Sequence, residues 1–298
     1  MEAIPYYHVD VFSPEPFAGN GLIVFTEAGS FNEATMQILT QEMRQYESIF
    51  LQRMDDRVVR ARIFTRSEEL GFAGHPILGA AATLHDLLET DELVTEWSFI
   101  MAEKTVHVST EKRGSRYEAL MNQGKAVFGK VLDAIETASV LHFLGATPEE
   151  LYPGLYPMVV STGLPYLIIP FRNNGYRARI GAPGLEAVLH SFGAKFIGLL
   201  DIETRSIRTG DNDGSVEDIA TGSLAGPAGA FLVHHGLEQA DRVISFTQGR
   251  NLSRNSRLFV ESRSCQDRTT DVFVGGTVCR VASGFLAPEL TAEIIGLR

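Results

Sequence analysis

Three side chains of this 298-residue chain stand where a proton could be taken from a small molecule and returned to it: Glu47, His75 and Asp218. A carboxylate at the end of a helix, turned into a closed pocket, loses solvation in its charged form, and its pKa rises. Near neutrality such a group can both accept and release a proton. Two further stretches carry anion chemistry. Gly74-His75 and Gly222-Ser223 read as glycine-led helix starts. The free N–H groups of a first turn bind anions, and glycine lets a ligand come close to the backbone. Were the two starts to face one another, they would form a cleft suited to a carboxylate-bearing metabolite. Each residue also has an ordinary reading: Glu47 as a solvated helix-terminal charge, His75 as a capping or core histidine, Asp218 as a turn residue beside Glu217.

The elements that must position these groups follow from periodicity. Tyr7 to Phe12 alternates apolar and polar residues as a strand does, and a turn-rich connection through Pro14, Pro16 and Gly19 to Gly21 leads to a second strand, Leu22 to Phe25. Ser30 and Glu33 have the spacing of a capping box, and Met36, Leu39, Met43 and Tyr46 then recur at helical spacing, which sets Glu47 where that helix should end. Val58 to Thr65 is a strand. Pro76 suits a first helical position, with Ile77, Ala81, Leu84 and Leu88 on one face of the helix it opens. Lys104 to Ser109 returns to strand alternation.

The second half repeats this grammar. Met158 to Ser161 and Tyr166 to Ile169 form a hairpin around Thr162-Gly163-Leu164-Pro165. Glu217 to Ser223 opens a helix that turns Ala228, Phe231 and Leu232 inward and stops at His234-His235-Gly236; Pro227 leaves its start between Ser223 and Gly226. Laying Gly74-His75-Pro76 over Gly222-Ser223-Leu224 gives an offset of 222 − 74 = 148, close to half the chain, and brings Ala80 onto Ala228 and Ala82 onto Ala230. This predicts two related halves, each a sheet around a helix, over 1–127 and 128–286, with the tail 287–298 a candidate addition to the first.

Composition and motif search narrow the function. With 26 Lys+Arg against 37 Asp+Glu the net charge is −11, which repels phosphate backbones, and the most basic stretch, Arg250 to Arg263, is interrupted by apolar residues and Glu261. Nucleic acid is not an expected partner, nor is a membrane, since no apolar run approaches the ~20 residues of a span. The N-terminus lacks the basic and apolar regions of a secretory signal. The chain reads as a soluble cytoplasmic protein. The 2 cysteines, Cys265 and Cys279, match no zinc spacing and read as buried reduced thiols. No Walker A, nucleophile-elbow or HExxH sequence is present. Gly19-x-Gly21 leads into a strand, Asp211 to Gly214 lacks carboxylates at the ends of a calcium loop, and His234-His235 complements a helix C-terminus; no metal site is expected.

The segments Val9 to Phe12 with Pro16 to Asn20, Glu47-Ser48-Ile49-Phe50, Phe72 to Pro76, Glu217 to Ser223, Gln248-Gly249 and Val274 to Thr277 together resemble the PhzF-like isomerase family of phenazine biosynthesis, in order and from near the first residue to about residue 285. The resemblance implies an α+β (α/β) fold of the diaminopimelate-epimerase type. It has two pseudo-symmetric halves, each a sheet wrapped around a central helix, and an active site in the cleft between them. It also implies a cofactor-free homodimer acting on a small carboxylate-bearing substrate. By motif position Glu47 is the general acid/base, with His75 and Asp218 positioning the substrate and supporting the transfer. The backbone of Gly74, Gly222 and Ser223, with Thr221 and Asn20, binds the substrate. The related two-thiol racemases carry cysteines at positions that match Ala73 and Ala220 here. Ile219, Leu224 and Ser253-Arg254-Asn255-Ser256 depart from the family pattern and bear on substrate identity. The reading is an isomerase that shifts a proton and with it a double bond; a racemase or epimerase with non-thiol bases, or a binding protein without turnover, are its rivals.

Overall fold

Periodicity in the sequence becomes alternating burial in strands such as Val94–Ile100, Thr105–Arg113 and Val243–Gln248, and near-total burial in two helices. The computed structural model describes residues 3–88, 91–102, 104–173, 175–264 and 270–287; Cys265 and most of the tail 287–298 lie outside them. The chain forms two compact units, Met1–Met121 with Gly275–Arg298, and Asn122–Val274. The first carries β1 (Pro5–Val11), β2 (Asn20–Phe25), α1 (Glu33–Met43), β3 (Glu47–Arg53), β4 (Val58–Thr65), the short β5 (Glu69–Leu70), α2 (Gly74–Asp86), β6 (Val94–Ile100), β7 (Thr105–Arg113) and most of β8 (Arg116–Lys125). Next come β9 (Val127–Val131), α3 (Ala134–Leu144), β10 (Met158–Ser161), β11 (Pro165–Phe171), α4 (Leu185–Ser191), β12 (Phe196–Asp201), β13 (Ser206–Arg208), α5 (Gly222–His234), β14 (Val243–Gln248) and β15 (Ser256–Ser264). The final strand, β16 (Thr270–Phe285), runs across the division back into the first unit.

In the first unit the strand path β1-β2-β3-β4-β6-β7-β8 continues into β16, which also pairs antiparallel with β1, so the sheet closes on itself. Helix α2 lies inside it, packed on β1, β2, β3, β6 and β7. Gly74 to Thr83 and His85 are all buried, as befits a helix apolar on every side. Gly79 makes the close approach possible: a Cβ there would press on Leu22, Val11 and Val9 of the surrounding strands. In the second unit the path β16-β15-β14-β13-β12-β11-β10-β9 wraps α5, which packs on β10, β11, β12, β13 and β15. The expected α+β architecture, a sheet around a central helix in each half, is what the chain adopts. The two central helices are each 13 residues long, and the offset of 148 holds at both ends (222 − 74 and 234 − 86).

Local expectations fared unevenly. Both hairpins form, β1 with β2 and β10 with β11, and β4 covers the expected residues. The capping box of Ser30 and Glu33 does not form. Asn32 is the N-cap of α1 instead, its Oδ1 accepting from Thr35 N at 2.9 Å, a geometry open to any short polar side chain one turn before the apolar face. That helix stops at Met43, where Arg44 takes a left-handed conformation with φ 56°, so Glu47 opens strand β3 and does not end a helix. Both central helices start at their glycines, Gly74 and Gly222, as expected, and the prolines fall further in than their placement as start signals implies. Pro76 is the third residue of α2, and α5 begins at Gly222 with Pro227 inside it, so the carbonyl of Ser223 has no helical donor.

Because Gly79 meets the sheet through its backbone, Gly79→Val should lower unfolding stability by about 1–3 kcal/mol through overpacking, read as a fall in the thermal midpoint; an unchanged midpoint would mean that α2 can move away from β1 and β2.

Candidate active site

In the first unit the sequence's candidates converge at one end of the central helix. Ala73, the N-cap of α2, is extended (φ −148°, ψ 136°), and its methyl group cannot cap the first turn, in which Gly74, His75 and Pro76 are the opening residues. Strand β3 runs parallel to β2, Glu47 opposite Leu22, which places the start of β3 at the same end of the sheet as Asn20, the first residue of β2. Asn20 is buried at 1% exposure. The Glu47 carboxylate Oε2 lies 3.4 Å from His75 Nε2, with side-chain exposures of 18% and 8%. This is longer than a tight charged hydrogen bond and within the reach over which catalytic pairs close on substrate. Burial alone pushes the Glu47 carboxyl up to about 7. A group with that value is part protonated and part ionised near neutral pH, the condition for a residue that must act as both acid and base.

The second unit gathers the remaining candidates at the start of α5, around a network of hydrogen bonds. Thr221 is the N-cap, yet its hydroxyl does not cap the helix; it donates to Asp218 Oδ2. The first amides of α5 therefore have no side-chain cap, as in α2. Gln248, at the end of β14, accepts from Thr221 N at 2.9 Å and donates to Asp218 O and to Thr221 Oγ1. Ser223, the second helical residue, has its hydroxyl 2.8 Å from the hydroxyl of Tyr166 in β11. Burial and the charge of Asp218 raise the Tyr166 pKa, which keeps the phenol neutral, while Ser223 acts in the opposite sense. Gln123 donates to the Gly222 carbonyl at 3.0 Å and accepts from Thr162.

Glu47, His75, Gly74 and Asn20 thus lie at one end of one unit, and Asp218, Thr221, Gly222 and Ser223 at the helix start of the other. Beside them the structure places Gln248, Tyr166 and Gln123, which the sequence motifs do not single out as candidates. Only Gln248 carried a signal, its place before Gly249, because a lone Tyr or Gln on a strand says nothing of what it faces. The structural offset of 148 corrects one pairing: the N-cap opposite Ala73 is Thr221, one residue on from Ala220. Neither helix start bears a thiol. Cys279 is buried in β16, and desolvation pushes its thiol up to about 11, as suits an inert packing residue. Among the described residues no group of three or more His, Cys, Asp or Glu side chains could hold a metal ion, and no helix is long and apolar enough to cross a membrane.

Comparison with known proteins gives one consistent answer. The sequence profile of the PhzC-PhzF family, described as phenazine biosynthesis-like protein, matches residues 9–284. The chain is 31% identical to the uncharacterized isomerase YddE of Escherichia coli (strain K12), over 91% of this chain and 94% of that protein. It is 30% identical to the trans-2,3-dihydro-3-hydroxyanthranilate isomerase of Pseudomonas aeruginosa, over 94% and 98% of the two chains. Among solved structures, a Pseudomonas aeruginosa protein described as a predicted epimerase superposes with a TM-score of 0.86 at 44% identity, covering 95% of this chain and 99% of that one. A probable proline racemase from Agrobacterium radiobacter, solved with bound carbonate, shares the fold at a TM-score of 0.63 and 13% identity, covering 98% of each chain.

The raised carboxyl pKa has a consequence for stability. The folded chain holds the Glu47 proton more tightly than the unfolded chain, so this contribution is fully present below about pH 4.5 and is lost as pH rises through about 7. Relative to Glu47→Gln, the protein should lose up to about 3 kcal/mol of unfolding free energy between pH 4 and pH 8 in paired denaturant titrations; parallel curves for the two proteins would show the carboxyl to be solvated.

Proposed function

The chain belongs to the phenazine biosynthesis-like family and is an isomerase, and from that premise we propose that it moves a proton on a small carboxylate-bearing metabolite, without a cofactor, with Glu47 as the general acid/base. The observation that carries this reading is the Glu47 carboxyl, buried, titrating at about 7, and 3.4 Å from His75 at the uncapped start of α2. In its ionised form Glu47 takes a proton from an activated C–H. The C–H electron pair becomes a new double bond, the adjacent double bond migrates by one position, and the proton returns from Glu47 to the distal carbon. Atoms and charge balance with no external oxidant or base. His75 accepts or donates a hydrogen bond to Glu47 as its charge changes. Asp218 positions the substrate and supports proton transfer. The backbone amides of Gly74, Gly222 and Ser223 bind the carboxylate, and Thr221 and Asn20 contribute to substrate binding. We keep, as part of the same reading, a homodimer in the cytoplasm.

An epimerase outcome is the second reading, favoured by the description of the 44% identical relative as a predicted epimerase. It needs the proton to return to the carbon it left, on the opposite face.

Offered trans-2,3-dihydro-3-hydroxyanthranilate, the substrate in the name of the Pseudomonas aeruginosa relative, and a panel of small carboxylates in heavy water, the protein should form a product with a shifted double bond that carries up to one deuterium per turnover, taken up as the proton on Glu47 exchanges with solvent before it is returned. Glu47→Gln should reduce that rate by a factor on the order of 10²–10⁴ while leaving ligand binding largely intact. Full turnover by Glu47→Gln would remove Glu47 from the mechanism. Label returning to the original carbon with a change of optical rotation would select the epimerase, and binding without exchange would leave a protein that has lost turnover.

A further inference from the structure

Gln248 closes β14 at 2% exposure and takes no part in the proton transfer described above. Its amide can sit only one way round. Thr221 N is an obligate donor and reaches Oε1 at 2.9 Å, while Asp218 O is an obligate acceptor and is reached from Nε2 at 3.0 Å. The second proton of Nε2 is therefore directed at Thr221 Oγ1, 2.9 Å away. A hydroxyl that accepts from an amide keeps its own proton to give, and Thr221 gives it to Asp218 Oδ2. The order of donation runs from Gln248 through Thr221 to Asp218 and cannot reverse without turning the amide against both backbone groups. Gly249 lets the chain make this approach. Its φ is +79°, and a Cβ there would run into the carbonyl oxygens of Arg254 and Ile219. The end of β14 is thereby held against the segment from 218 to 221.

Resting on the role given to Asp218 above, we propose that Gln248 is a positioning residue of the reaction: its locked amide makes the Thr221 hydroxyl donate to Asp218 and so holds that side chain as an aimed, anionic acceptor for the substrate. A donated hydrogen bond favours the charged form of a carboxyl. Among the other groups that bear on Asp218 are the neutral phenol of Tyr166 from β11 and, beside it in sequence, Glu217, whose carboxylate is held by Arg208 at 2.7 and 2.8 Å. A substitution at 248 leaves both in place.

The test titrates the side-chain carboxyl carbon of Asp218 by NMR in the full chain labelled with ¹³C-aspartate, the signal identified by its loss in Asp218→Asn. Gln248→Met and Thr221→Val should each move the titration midpoint to higher pH, and Thr221→Ser, which keeps the hydroxyl, should restore the original midpoint. Adding Gln248→Met to Thr221→Val should move it little further, because the relay is already cut. An unmoved midpoint in either Gln248→Met or Thr221→Val, or an equal shift in Thr221→Ser, overturns the proposal. If Gln248→Met does not fold, the Thr221 pair decides alone. The measurement needs no turnover, so its failure is distinct from failure of the isomerase reading, which the Glu47→Gln exchange assay judges.

Discussion

The desolvation of one carboxyl is the constraint that organises the first unit. Lifting Glu47 from 4.5 to about 7 means that at neutral pH the fold carries part of the cost of an ion in a poor solvent, on the order of a few kcal/mol when fully charged. That strain is held because Glu47 opens a strand whose next residues are firmly packed. Ile49, Phe50 and Leu51 are 2% exposed or less, and Phe50 stacks on Phe25 with ring centroids 4.8 Å apart. Strand β3 is hydrogen-bonded on both sides, to β2 and to β4. The backbone that carries the carboxylate is thereby fixed from both sides.

The second unit answers a related problem with different chemistry. Around the same type of helix start, the Asp218 carboxylate accepts from the Thr221 hydroxyl and Ser223 is paired with a buried phenol. Two carboxyls in contrasting surroundings are a recurrent way for one protein to supply unlike acid/base roles. In each unit a glycine lets the central helix and its sheet approach closely. Gly79 admits Leu22 and Val11 of the first sheet, and in the second unit Gly198 of β12 leaves room for Leu224 of α5. Leu224 is buried at 0% and packs against that glycine.

Much of this was legible from sequence because it depends on periodicity and on residues with few permitted settings. The offset of 148 fixed the relation of α2 to α5, and the family motifs pointed to Glu47, His75 and Asp218. Helix boundaries were harder. Pro76 and Pro227 drew attention as start signals, yet a first turn tolerates proline at several positions and tertiary packing tolerated one deeper in α5. The acid at the end of α1 became the acid at the start of β3 because Arg44 reverses the chain in a left-handed conformation that its residue type does not advertise. Desolvation of Glu47 and the orientation of the Gln248 amide are properties of neighbours far away in sequence, and no local pattern encodes them.

The route of β16 bears on how the protein comes into being. The second unit is a continuous stretch, Asn122–Val274, whereas the first closes only when Gly275 onward returns to pair with β1. On the ribosome, all of the second unit is synthesised before the strand that seals the first has emerged. Until then β1 waits with an open edge and α2 with an incomplete wall, a nascent state that exposes apolar surface and unpaired backbone for the time it takes to translate some 150 residues. The piece of the protein made first is thus the last to finish folding.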